Sequence, residues 1–368
     1  MDAYRIKNIE LLDSPSLIVF KDRVLANIQE ALKIAGEVNR FRPHVKTHKL
    51  GEIIQLHTSL GVKKFKCATL AEMEMVAMNG GEDILLAHQP VGPKIEKLIS
   101  LIKQFPGVSF SVLVDDYHIV NQIAERARAN VLEVGIWVDV DNGMHRSGIE
   151  VGEAAAQLIR HILDMPGVLF EGLHVYDGHI RDTPIQVRKH RSDEAFTLVE
   201  EFITRLKDVH IQVPRIIAGG SPTFSIHAQR EGVELSPGTY VFWDFGYQDM
   251  LPDYPFECAA ILLTRVISKP GKDLLCLDAG HKAIASENPH PRIRLLNIEI
   301  EAFVGHSEEH LVIRSKEAET FMVGDILLGI PRHICPTVAL QHEVFVVEGQ
   351  EVREKWEVSA RKRSIIGI

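Results

Sequence analysis

Between residues 41 and 244, short apolar and β-branched runs alternate with longer stretches whose apolar positions recur at helical spacing. The runs predict strands over 41–47, 64–68, 83–87, 109–114, 133–140, 169–175, 215–218 and 233–235. The longer stretches predict helices over 70–79, 93–105, 117–129, 152–164 and 191–209. Strands that alternate with helices in this way predict an α/β fold, a parallel (β/α)8 TIM-type barrel. A doubly wound sheet has the same local rhythm, but no GxGxxG follows a first strand, which weakens that alternative. Past residue 244 the helices fall away. Strands are predicted over 258–268, 274–277, 294–303, 310–313, 326–330 and 344–347, a second, C-terminal all-β domain completed by 16–20 or the residues before it. The expected boundaries are 14–244 for the barrel and 245–368, with residues 1–13, for the β-domain.

Composition narrows the function classes. The chain has 368 residues, 45% of them hydrophobic and 25% charged, enough apolar content for a sizeable core. A net charge of −9 argues against nucleic acid or an acidic membrane surface as the main partner. No apolar run is long enough for a membrane span, and residues 1–12 lack the pattern of a secretion signal. The four cysteines are scattered, without a CxxC pair, which suits a reducing, cytoplasmic compartment.

In a βα barrel the reactive groups sit where strands end. The first candidate strand carries Arg42, Pro43, His44, Val45, Lys46, Thr47, His48 and Lys49. An amine there, partly desolvated and close to other cations, is a nucleophile for an aldehyde. Taken alone, the run does not choose between Lys46, Lys49 and a solvated basic loop. Gly219, Gly220 and Ser221 follow the seventh candidate strand, and Gly238, Thr239 and Tyr240 the eighth. Small residues and hydroxyls at those two positions are suited to hold a phosphate. Other strand ends supply a cation, Arg146, and a phenol, Tyr176, beside histidines. Together these are the parts of a pyridoxal 5′-phosphate (PLP) site. His333 and Cys335, two apart on a segment read as extended, point to one side and are a candidate metal pair. Two ligands alone do not establish a metal.

The ordered motifs RPHVKTHK (42–49), HRSG (145–148), YDGH (176–179), GGSPT (219–223), SPGTYVF (236–242), LDAG (277–280) and HICPT (333–337) resemble those of the D-threonine aldolase and D-serine dehydratase group. These are fold-type III PLP enzymes with an alanine racemase-like N-terminal domain. The resemblance implies a Schiff base on Lys46 and a phosphate held by Gly219, Gly220, Ser221, Gly238, Thr239 and Tyr240. It sets Tyr176 at the pyridine nitrogen, Arg146 beside the ring, and a divalent ion on His333 and Cys335 near the substrate's 3-hydroxyl. It also implies a homodimer and a small-molecule D-amino acid substrate.

Two departures bear on the reaction. The aldolases more often carry His-x-Asp at the metal pair, and a thiolate favours Zn²⁺ over Mn²⁺. Six residues beyond the tyrosine the aldolases place a histidine base; here that position is Asp182, with His179 nearby as a substitute. The expected activity is a metal-assisted lyase acting on D-configured 3-hydroxy amino acids. Retro-aldol cleavage of D-threonine to glycine and acetaldehyde, and β-elimination of D-serine to pyruvate and ammonia, both remain open. The alternatives are a metal-independent racemase and a non-catalytic PLP-binding protein.

Overall fold

The computed structural model describes residues 2–363. Their contacts define two compact units, one of Ala31–Lys46 and Gly51–Gly238, the other of the residues up to Glu30 with Thr47–Leu50 and Thr239–Arg361.

The first unit is built on parallel strands in chain order: Lys64–Cys67, Asp83–Leu86, Ser109–Val114, Val134–Asp141, Val168–Val175, Ile216–Ala218 and Val233–Leu235. The run predicted as a strand over 41–47 is different. Phe41 makes a single parallel bridge to Leu235 and His44 another to Lys66, and Val45–Thr47 is a turn of 3-10 helix. Pro43, between the two bridges, has no N–H to offer a ladder. These bridges fill the eighth place and close the ring as a (β/α)8-type barrel. Most strand residues are fully buried, as expected for parallel strands covered on both faces.

The helices between strands include Gly51–Ser59, Leu70–Met78, Pro93–Gln104, Tyr117–Ala129, Glu153–Asp164 and Ile185–Asp208. Side chains fix where several of them begin. The Thr69 hydroxyl accepts from the Glu72 N–H (3.2 Å), and a Glu72 carboxylate oxygen accepts from Ala68 N–H (2.6 Å), a reciprocal cap. Asp116 caps the helix Tyr117–Ala129 through the Ile119 N–H. The last helix begins at Ile185, six residues before the predicted 191. Its first turns bury Arg188 and Ser192 rather than an apolar stripe, and Arg188 donates to the Asp182 carbonyl (2.7 Å).

The second unit is a mostly antiparallel sheet. Its strands run in the order Ala302–His306, Leu311–Arg314, Leu274–Leu277, Ala260–Gly271, Ser16–Phe20, Glu343–Glu348, Glu351–Glu357. Ile326–Pro331 also pairs with Ala260–Gly271 and carries Ile293–Leu295 on its other edge. Ser16–Phe20 pairs antiparallel with Ala260–Gly271 and parallel with Glu343–Glu348. Contacts group residues up to Glu30 with this unit, where Ser16–Phe20 supplies a strand of the sheet, whereas the expected boundary set 14–30 with the barrel. The predicted strand 294–303 splits in two, and Glu351–Glu357 escapes prediction because its pattern is charged. The expected C-terminal boundary at residue 368 extends over 364–368, which lie outside the described residues, as does Met1.

Candidate active site

At the C-terminal ends of the barrel strands a cavity of about 520 Å³ opens, lined by residues that include Lys46, Lys66, Asp139, Arg146, His174 and Tyr176. Strand register brings Asp139, His174 and Lys66 together. Parallel pairing sets Asp139 opposite His174, and the His174 Nδ1–H donates to Asp139 at 2.8 Å. The bridge between His44 and Lys66 puts Lys66 on the same rim as the segment that carries Lys46. Lys66 Nζ lies 3.4 Å from His174 Nε2, and the Ser147 hydroxyl donates to the second Asp139 oxygen (3.0 Å). Arg146 stacks its guanidinium 4.7 Å from the Tyr176 ring centre.

The eight-residue basic run thus divides. Lys46 and His44 face the cavity, and the Lys46 N–H donates to His44 Nδ1 at 3.4 Å. Arg42 turns to the other end of the barrel, fully buried on Asp83 and Glu234. Lys49 adopts a left-handed backbone (φ 56°) and is not among the cavity-lining residues.

The glycine loop has the close packing and the loosely bonded N–H groups that an anion site would need. A Cβ on Gly220 would come 2.8 Å from the Tyr176 ring, and Gly219 combines φ +76° with only 2.6 Å between a Cβ and His227. The Gly220 N–H donates to Thr223 and the Gly238 N–H to Ser221 at 3.4 and 3.3 Å, long bonds that an anion would readily replace. Behind them the buried Asp177 accepts from the Thr223 hydroxyl (2.7 Å) and meets His227 Nε2 (2.8 Å). It thereby ties the Tyr176 loop to the glycine loop. Thr239 and Tyr240 follow in the chain but lie within the β-rich unit, where both are buried.

His179 does not line the cavity. It packs near Gly143, its Nδ1 buried without a hydrogen-bond partner, and burial holds its pKa below the usual imidazole value.

In the β-rich unit His333 and Cys335 are neighbours, but not on extended chain. The strand Ile326–Pro331 ends and the helix Ile334–Leu340 begins with His333 as its N-cap, because the Ile334 N–H donates to Asp244 (3.0 Å) and the Thr337 hydroxyl to the His333 carbonyl (2.8 Å). Burial alone would lower the His333 pKa, but its bond to Cys335, with Glu287 and Asp244, raises it to about 9. Glu287 binds Nδ1, the carboxylate–imidazole arrangement that leaves Nε2 for a ligand. Thr47 Oγ1 lies 3.2 Å and Thr239 Oγ1 3.8 Å from Cys335 Sγ. One imidazole and one thiol suit a divalent metal as donors, yet among the described residues no group of three or more His, Cys, Asp or Glu is placed to hold one.

Residues 19–244 match the family model for the alanine racemase N-terminal domain. The chain belongs to that family. Residues 259–347 match a second model, the putative serine dehydratase domain. The alanine racemase-like fold also extends to relatives along nearly the whole chain. D-Threonine aldolase of Arthrobacter sp is 29% identical over 360 residues, 95% of this chain and 93% of that protein. 3-Hydroxy-D-aspartate aldolase of Paracoccus denitrificans (strain Pd 1222) is 28% identical over 363 residues, 95% and 92% of the two chains. The crystal structure of D-threonine aldolase from Filomicrobium marinum superposes with a TM-score of 0.85 at 27% identity, covering 96% of this chain and 97% of that one. PLP is the cofactor expected for the family.

Sequence reasoning missed Lys66, His174, Asp139 and Asp177. The first sits in the alternating strand Lys64-Phe65-Lys66-Cys67, where a lysine reads as a solvent-facing position. Asp139 and His174 gain meaning only from their cross-strand register, which no spacing in the sequence reveals.

Proposed function

We propose that the chain is a PLP-dependent lyase acting on D-configured 3-hydroxy amino acids. The observation that carries this is the convergence of Lys46, Arg146 and Tyr176 on one cavity of a barrel whose family uses that cofactor, with Gly220 packed against the Tyr176 ring. Lys46 is the amine that holds the cofactor aldehyde. Gly219, Gly220, Ser221 and Gly238 would hold its phosphate, with Thr239 and Tyr240 next in the chain. Arg146 and Tyr176, stacked on one another, would orient its ring. When bound, PLP supplies an electron sink for charge that develops at the substrate Cα.

The remaining work falls to side chains. Lys46, with its amine free, would serve as a base beside the substrate Cα. A base for the substrate hydroxyl has to come from the cavity wall, where His44, His88 and His174 are the imidazoles, since His179 lies outside it. A divalent ion on His333 and Cys335, Zn²⁺ by the softness of the thiolate, would act as a Lewis acid toward a hydroxyl oxygen. The resemblance supports a homodimer as the working assembly, and four unbridged cysteines suit the cytoplasm.

Purified protein given PLP and Zn²⁺ or Mn²⁺ is to be incubated with D-threonine and with D-serine. Glycine with acetaldehyde marks retro-aldol cleavage; a 2-oxo acid with ammonia marks elimination. Either product, lost on chelation, supports the reading. Interconversion of enantiomers that survives chelation contradicts it.

A further inference from the structure

Lys66 is a lysine in an unusual place. It lies on the strand Lys64–Cys67, 2% exposed, and still lines the cavity. Among the described residues no carboxylate touches it. Its hydrogen-bond partner is His174 Nε2 at 3.4 Å, and the carboxylate Asp139 stands one step further, on His174 Nδ1. That bond to Asp139 assigns the Nδ1–H tautomer, so Nε2 is an acceptor and Lys66 donates to it. The charges that act on Lys66 come from three segments: Lys46 and Arg42, Asp139 and Arg146, and His174 with the Tyr176 ring, whose centre is 5.8 Å from Nζ. Cations outnumber carboxylates there. Burial, then Lys46, draws the Lys66 pKa down to about 7.

We infer that Lys66 is an acid–base residue of the cavity floor, set to gain or lose one proton facing the cofactor while His174 and Asp139 hold its position. As the neutral amine it gives one N–H to His174 and turns its lone pair to the cavity. Protonated, it presents an added N–H donor to an anionic oxygen of cofactor or substrate, and the proton comes from solvent through the cavity mouth. The partner chemistry is thus a phenolate or carboxylate oxygen, whose arrival favours proton uptake at Lys66. This inference rests on the proposed cofactor site.

The test is a pH titration of the absorbance of the lysine-bound cofactor in the holoenzyme, with no turnover required. The wild-type spectrum is expected to change in a single step with a midpoint above about 7, the value at which Lys66 stands without cofactor, since an anionic oxygen favours the protonated lysine. Lys66→Met should keep the high-pH spectrum at every pH, and Lys66→Arg, a fixed cation, the low-pH spectrum. Asp139→Asn should move the step to lower pH, since Asp139 favours the protonated lysine. A wild-type spectrum without the step, or a step that persists in Lys66→Met, overturns the inference. If no band forms at all, it is the cofactor reading that fails.

Discussion

The two ends of the barrel treat buried cations in opposite ways. At the N-terminal ends of the strands Arg42 is fully buried with a bidentate grip on Asp83 (2.8 Å to each oxygen) and a bond to Glu234 (2.6 Å). Arg215 adds contacts to Asp83 and Glu171, and Lys64 one to Glu234. Every charge there has a partner, and Arg42 is held above the ordinary guanidinium value despite the burial that opposes it, mainly by its bond to Asp83. At the C-terminal ends Lys66 is as deeply buried but meets a histidine instead of a carboxylate, and its pKa falls. Paired charge makes a clasp; unpaired charge makes a reactive group. The same strands carry both, so the division between structure and chemistry runs along the barrel axis.

Substitutions at the two ends should therefore separate function from stability. Lys46→Ala is expected to lower turnover by about 10³-fold or more, the scale of losing a nucleophile or base, with an unchanged midpoint in chemical denaturation. A large loss of stability in that variant would break the contrast. Arg42→Ala should cost about 3–5 kcal/mol of folding free energy, read from the same denaturation curve, because Asp83 and Glu234 lose their fully buried partner and keep only the partly exposed Arg215 and Lys64. The fraction that remains folded should still bind cofactor.

Lys66→Met should have the opposite sign and a smaller size, stabilising the cofactor-free protein by about 1–4 kcal/mol near neutral pH. The direction follows from linkage. The folded-state pKa of Lys66, about 7, lies below its ordinary 10.5, so protonation favours the unfolded chain. The cost of keeping the wild-type lysine is complete below pH 7 and fades as pH rises toward 10.5. The advantage of Lys66→Met should shrink over that same window, and denaturation curves at several pH values measure it.

How far the sequence made this legible depends on the kind of signal. Barrel alternation and the shift to a β-rich C-terminal part were visible because burial imposes a period on the residues. The glycine loops were visible because close backbone approach demands small side chains. Lys46 and Lys49 could not be told apart in one basic run, and only closure of the ring through Phe41 and His44 sets Lys46 at the cavity and Arg42 at the opposite end. Lys66, Asp139 and His174 were hidden because their meaning comes from neighbouring strands. His333 and Cys335 were found as a pair, but a helix start at Ile334, set by the distant Asp244, was not readable from their spacing.

The most direct measurement is hydride reduction of the PLP-loaded protein, followed by proteolysis and peptide mass mapping of the phosphopyridoxyl group. A single labelled peptide with the modification on Lys46 is the predicted result. Label on Lys66, on Lys49, or on no lysine of the cavity would contradict the account.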